Sequence, residues 1–275
     1  ARGKFFGYCV WEGDKVPESF LKHLLDADGV IVPSDHVAKA LFNTFDDWPE
    51  NFIHIIHHGV DTELFVHQPT PEVFTFISNK GWAQGVNDRG GLQWLLKAFC
   101  AEFRKDEKVK LVVKINTAYC PPGWNLNAEL AKLNLPVDRP DVHFSLDSVE
   151  PEVMPKLYAG DCFVSPTMAE AFSLPCAEAM ACSLPVITTS YGGMTDYVNE
   201  GNGWLIPYTL QEVTHDVAYE GIQWAVPDLA HLRGLLRGAF ENREACRVKG
   251  EQALKDVQAL TWKNSAEQLL RVIQA

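Results

Sequence analysis

Short runs of β-branched and aromatic residues alternate along the chain with longer stretches of helical periodicity. The strand-like runs are residues 5–10, 29–33, 52–57, 74–78, 110–114, 142–144, 162–165, 185–188 and 203–206. Several are apolar on both faces, as in Leu111-Val112-Val113 and Val186-Ile187, which is the pattern of strands covered on both sides. Between them, Leu92, Leu95, Leu96 and Phe99 recur at helical spacing within residues 91–103. Residues 151–160 and 175–183 each open on a proline, a residue favoured in the first turn of a helix. This alternation predicts βαβ units and a mostly parallel sheet, an α/β fold. From residue 228 to 275 there is no strand signal. That stretch predicts helices broken near Thr261-Trp262, with Thr261 as an N-cap and residues 264–272 continuing as an amphipathic helix.

The run His67-Gln68-Pro69-Thr70-Pro71 ends any regular element. Three strands precede it, too few for an independent doubly wound domain, and six follow it, enough for a complete one. Composition fits this organisation: of 275 residues 47% are hydrophobic and 22% charged, which excludes a disordered or low-complexity chain. No apolar run reaches the roughly 18 residues of a membrane-spanning helix. The net charge of −12 argues against nucleic acid as a partner, since phosphate-backbone binding needs clustered Lys and Arg. The seven cysteines are odd in number and none is spaced C-x-x-C, so the expectation is reduced thiols in a cytoplasmic protein.

The strongest chemical signal is Ala169-Glu170-Ala171-Phe172-Ser173-Leu174-Pro175-Cys176-Ala177-Glu178-Ala179-Met180. Glu170 is expected in a loop after a buried strand, and Glu178 in the first turn of the helix opening at Pro175. A helix N-terminus carries unpaired N–H groups and a positive dipole end. The amides near Phe172, Ser173 and Leu174 are therefore candidates to hold a phosphate, with the two carboxylates beside it accepting from neutral sugar hydroxyls.

A second constellation, Ser78-Asn79-Lys80-Gly81-Trp82 and then Val86-Asn87-Asp88-Arg89-Gly90-Gly91, follows a strand and precedes a helix. It is neither a Walker A sequence nor G-x-G-x-x-G, so ATP and NAD have no support. Lys114 closes a strand, where a side chain at the carboxyl end points into the crevice of a parallel sheet. His54, His57 and His58 suggest a metal site by spacing alone, but neighbouring strand side chains face opposite ways, so no metal is expected. Glu12 follows a strand end and is a candidate to face the cleft. No Ser/His/Asp order or activated cysteine neighbourhood argues for a hydrolase.

In Glu170, Phe172, Pro175, Glu178-Ala179-Met180 and Pro185-Val186-Ile187, and on through Gly192-Gly193 and Gly203-Trp204-Leu205-Ile206, the chain resembles the family four retaining glycosyltransferases of GT-B architecture. The family usually has Gly where this chain has Ser173 and Ser183. His58-Gly59-Val60-Asp61 followed by Phe65 is similar to the family's hinge between its two domains. Trp11-Glu12, Pro17 and Val32-Pro33-Ser34 match the last part of its first domain. The resemblance implies that an Arg/Lys pair neutralises the leaving diphosphate: Arg89 stands where Lys is usual, paired with Lys80 or another cation of a loop longer than usual. It further implies that Glu170 orients the donor sugar, Glu178 holds the ribose, Lys114 reaches the donor, and the turn at Leu146 meets the base through its backbone. Glu12 would lie on the acceptor side.

The fold expected is thus a complete Rossmann-like C-terminal domain plus the remnant of an N-terminal one. Residues 1–68 are expected as the remnant and hinge, 69–258 as the donor-binding domain, and 259–275 as a helix crossing back to the first domain. Most of the first domain is expected to be absent, by truncation to a fragment or by natural loss, with an exposed sheet edge at residues 5–10. The implied reaction moves a sugar from a nucleotide diphosphate sugar to an acceptor hydroxyl with retention, without a cofactor or bound metal. The acceptor is a carbohydrate, lipid-linked or protein hydroxyl, and peripheral membrane contact falls to the missing domain. Two other readings stand beside it: a non-catalytic nucleotide-sugar-binding or interaction domain, and a nucleotide-sugar epimerase.

Overall fold

The computed structural model describes residues 3–274; Ala1 and Arg2, the first residues of the expected remnant, and Ala275, the expected end of the closing helix, lie outside them. Eleven strands are formed among these residues: β1 Phe6–Tyr8, β2 Gly29–Val32, β3 Ile53–Ile55, β4 Phe74–Lys80, β5 Val109–Ile115, β6 Val142–Ser145, β7 Cys162–Ser165, β8 Val186–Thr189, β9 Gly203–Ile206, β10 Tyr208–Glu212 and β11 Gln223–Pro227. The α-helices are α1 Glu18–Leu25, α2 Asp35–Thr44, α3 Leu92–Glu102, α4 Leu126–Lys132, α5 Leu174–Ala181, α6 Leu229–Glu241, α7 Arg243–Val257 and α8 Trp262–Gln274.

The larger sheet runs β6-β5-β4-β7-β8-β9 with every pairing parallel. Alternate strand residues feed two separate cores, as the pleat requires. Phe76, Leu111, Val113, Val164 and Ile187 meet α3 and α6 on one face. Ile77, Phe163 and Val186 meet α5 and α7 on the other. The chain reverses its direction across the sheet between β4 and β7, the doubly wound switch point where a crevice opens at the strand tips. The smaller sheet, β1-β2-β3, is also parallel, with β1 at one edge. Among the described residues no helix is long and apolar enough to cross a membrane.

All nine expected strands form, with ends shifted by at most two residues. Three differences have physical causes. Residues 151–160 form a 3₁₀ helix, Pro151–Tyr158, because Pro155 inside it lacks the N–H that an α-helix needs. β10 and β11 make an antiparallel hairpin that the hydrophobic pattern does not announce, since every residue of β10 is exposed. β4 extends to Lys80, so that lysine ends a strand rather than sitting in the following loop. Thr261 does cap α8, accepting from the Asn264 amide at 3.1 Å.

Helix α5 stops in a Schellman-type turn: Leu184 N donates to Ala179 O at 2.9 Å and Ser183 N to Met180 O at 2.9 Å. Ser183 itself has φ of 62°, a left-handed conformation that glycine adopts without strain. Ser183→Gly is expected to raise stability by about 0.5–1 kcal/mol, the relieved strain exceeding the added unfolded-state entropy. Urea unfolding checks this; an unchanged or lowered midpoint would contradict it.

Candidate active site

The loop from residue 166 to 173, between β7 and α5, is held from several directions. A Cβ on Gly91 would lie 1.8 Å from Pro166 O, and one on Gly193 would lie 1.9 Å from Ala171 O, so only glycine permits these approaches. Gly193 N donates to Glu170 O at 2.9 Å, Met168 N to Arg89 O at 2.7 Å, and Ala225 N to Met168 O at 2.8 Å. From the smaller sheet's side, Ser34 Oγ donates to Ala171 O at 2.6 Å. The Tyr197 hydroxyl reaches the carbonyls of Phe172 and Ser173 at 2.5 and 2.9 Å. It braces Ser173, which takes φ of 69° at the N-cap of α5. That left-handed backbone explains why glycine suits this position, and the serine hydroxyl is turned to Cys176 Sγ at 3.3 Å.

This pinned loop forms one wall of a cleft of about 750 Å³ at the strand tips. Lys80, Arg89, Lys114, Glu170, Phe172, Ser173, Leu174 and Glu178 all line it. The amides of Phe172, Ser173 and Leu174 stand before or at the opening of α5, where helical geometry supplies no acceptor. Lys80 is 8% exposed, and its ammonium has Glu170 Oε2 as its near anion at 4.0 Å. A buried cation with so distant a counter-ion is left with charge that its nearest carboxylate offsets only weakly. Burial also pushes the Lys114 ammonium below its usual value, with Asp147 acting in the opposite sense. Lys114 Nζ donates to Ile115 O at 3.0 Å.

Glu178 falls in the second turn of α5, not the first, because the helix opens at Leu174. The Tyr158 hydroxyl donates to its Oε2, and Asn79 Nδ2 donates to that hydroxyl at 3.4 Å. Burial raises the Glu178 carboxyl above its ordinary value, and the Tyr158 bond pulls it back. A carboxyl raised by folding adds stability below its unfolded pKa and loses it as pH rises through the folded one. Charging Glu178 therefore costs the fold stability, an arrangement common at binding sites.

Arg89 is engaged on three sides. Its Nη2 lies 2.9 Å from Glu12 Oε1, its Nη1 donates to Ala169 O at 3.0 Å, and Glu170 Oε2 is 3.9 Å from Nη1. Burial works against its charge, but Glu170 and Glu12 more than offset this and hold it protonated. Glu12 is thus turned to Arg89, and its other oxygen accepts from the Tyr219 hydroxyl at 3.1 Å. Leu146 is not brought into the cleft; it lines a neighbouring hollow with Cys120 and Trp124, while Ser148 and Val149 from the same turn do reach the cleft.

The three histidines diverge. His58 lines the cleft against Phe172 and the Tyr8 hydroxyl, His57 bonds Asp196 at 3.0 Å, and His54 lies beside Phe6. All seven cysteines are free, and burial raises every thiol, so none is an activated nucleophile. Tyr158, Asn79 and Tyr219 are site neighbours that sequence reasoning missed. Tyr158 reaches Glu178, Asn79 reaches Tyr158 and Tyr219 reaches Glu12, each at least 20 residues away, so spacing along the chain carries no sign of them.

The chain belongs to the group 1 glycosyl transferases, whose family pattern matches residues 79–218, just over half of it. Alpha-maltose-1-phosphate synthase of Mycobacterium tuberculosis is 24% identical over 262 residues, covering 90% of this chain and 63% of that relative. Sucrose-phosphate synthase from Thermosynechococcus elongatus superposes with a TM-score of 0.70 at 22% identity, over 93% of this chain and 60% of that one. Anabaena HepE, solved in complex with UDP-glucose, superposes with a TM-score of 0.67 at 17% identity, over 93% and 67%. These superpositions establish the fold as the GT-B type. The chain spans less than two thirds of the length of the first two proteins.

Gly193→Ala is expected to cost about 1–3 kcal/mol, since Ala171 and the loop behind it must move to admit the methyl group. Thermal unfolding of the variant reads the loss; a wild-type midpoint would mean the loop is not pinned there.

Proposed function

We propose that this chain is the donor-binding portion of a glycosyltransferase that moves a sugar from a nucleotide diphosphate sugar to an acceptor hydroxyl, with retention of configuration. The observation that carries the reading is the placement of two glutamates, two cations and a helix opening around one cleft at the switch point of the sheet. In this reading the diphosphate lies against the amides of Phe172, Ser173 and Leu174, with Lys80 and Arg89 taking up charge as the leaving group departs. Glu170 accepts from hydroxyls of the sugar and Glu178 from those of the ribose. Lys114 stands toward the nucleotide beyond Lys80. The base rests against the turn carrying Leu146, through the backbone near Ser148 and Val149.

No residue on the cleft is assigned as an enzymatic nucleophile, so the acceptor attacks on the face the diphosphate leaves, its proton passing to that phosphate. The reading assigns no cofactor and no metal, because the cations of the chain supply the charge compensation. UDP is the nucleotide proposed, by analogy with HepE. The acceptor class is a carbohydrate, lipid-linked or protein hydroxyl. The seven free thiols support a reducing, cytoplasmic setting. The division into residues 1–68, 69–258 and 259–275 belongs to the same reading. Its support is the separate sheet built before residue 68, and the return of α8 onto the hinge, where Ser265 Oγ donates to His57 O at 2.6 Å.

Glu178→Ala is expected to weaken UDP binding by about 1–3 kcal/mol through loss of a charged hydrogen-bonding partner. Titration calorimetry checks this, and an unchanged affinity would remove Glu178 from the nucleotide site.

A further inference from the structure

The loop that connects β10 to β11 lines the cleft through Asp216 and Tyr219 and meets the segment that follows β1. Tyr219, in that loop, stacks on Trp11 with centroids 4.8 Å apart and meets Trp224 edge-on at 4.8 Å. Gln223 N donates to Asp14 Oδ1 at 2.8 Å, and Ile222 packs against Gly13. These contacts fix the Tyr219 hydroxyl, and that hydroxyl fixes one oxygen of Glu12. The other oxygen of Glu12 pairs with Arg89. Arg89 is anchored in turn through Nη1 to the Ala169 carbonyl. The pair therefore joins two rigid parts, and neither partner is free to follow the other.

The Lys80, Arg89, Glu12 and Glu170 charges sum to zero along one contiguous chain of contacts. An anion entering the cleft meets an Arg89 whose Nη2 is already paired. We infer that Glu12, held by Tyr219, is the resident anion of the Arg89 site: its carboxylate occupies the guanidinium edge that a diphosphate oxygen takes, so donor binding and diphosphate release proceed by exchange with Glu12. This inference rests on the donor-site reading above and deepens it. Glu12 is a positioning residue: it touches Arg89, not the sugar. Exchange of this kind keeps the diphosphate product from being held too tightly, because a replacement partner for Arg89 is always at hand. It also gives the hairpin a role at the site, since the hairpin loop supplies the hydroxyl that holds Glu12 in place.

The test is calorimetric titration with inorganic pyrophosphate and with UDP, on wild type, Glu12→Gln, Tyr219→Phe, Arg89→Ala and the Glu12→Gln/Arg89→Ala double variant. Exchange predicts that Glu12→Gln binds both ligands roughly 5-fold more tightly, the effect of losing one competing ion pair of about 1 kcal/mol. Tyr219→Phe, which keeps every charge, is expected to tighten binding about two-fold by loosening Glu12. Arg89→Ala weakens binding, and in its background Glu12→Gln has no further effect, because the competition runs through Arg89. Equal tightening with and without Arg89 means a general field effect and overturns the exchange. So does unchanged or weaker binding in Glu12→Gln, with melting temperature showing that each variant is folded. If wild type binds neither ligand, or Arg89→Ala binds as wild type does, the donor-site reading itself fails, and the exchange falls with it.

Discussion

The loop of residues 166–173 is the constraint on which the rest of the cleft depends. Its backbone passes so close to Gly91 and Gly193 that neither position has room for a Cβ, and further hydrogen bonds tie it to Arg89, Ser34, Gly193, Tyr197 and β11. Flexible loops lose ordering entropy when they bind; a loop already pinned does not. Its immobility fixes where the Glu170 carboxylate stands, where the amides before α5 point, and which carbonyl receives Arg89. The tie through Ser34 matters equally, because it comes from the N-cap of α2 beside the smaller sheet and sets the two parts of the molecule against the same loop.

Electrostatics build on that frame. Lys80, Arg89 and the α5 opening line the same cleft. The cations are managed differently. Lys80 is nearly enclosed, with Glu170 at 4.0 Å, so its charge is available to an occupant. Arg89 is satisfied in place by Glu12 and the Ala169 carbonyl. Glu178 carries the opposite burden: burial favours its neutral form, and the Tyr158 hydroxyl, itself backed by Asn79, restores part of the charged one. In the proposed reading, this arrangement suits a ligand with an anionic centre and hydroxyl-bearing ends.

Much of the fold was legible because buried parallel strands have a strong signature. Val186-Ile187 and Leu111-Val112-Val113 are apolar on both faces, and both lie in the central sheet. The E-x7-E segment was legible as chemistry because two acids, a proline and a small residue bracket a helix start. What escaped lies where the third dimension decides. β10 is wholly exposed and so lacks a hydrophobic face to read. Glu12 read as a residue facing the cleft, whereas the fold turns it to Arg89, 77 positions away in the numbering. Tyr158 sits in a proline-containing 3₁₀ helix whose sequence resembles an α-helix, and nothing local marks its hydroxyl as the partner of Glu178. Ser173 and Ser183, departures from the usual glycines, both prove to occupy left-handed backbone, which makes the glycine preference a matter of conformation.

The central claim is that one cleft receives a diphosphate at the opening of α5 and the polyol parts of an activated sugar at the two flanking glutamates. A crystal structure of the chain soaked with UDP-glucose tests it most directly. The account predicts phosphate oxygens within hydrogen-bond distance of the residue 172–174 amides and Lys80, ribose hydroxyls on Glu178, and sugar hydroxyls on Glu170. Nucleotide density seated in the hollow beside Cys120 and Trp124, with the α5 opening empty, would contradict it.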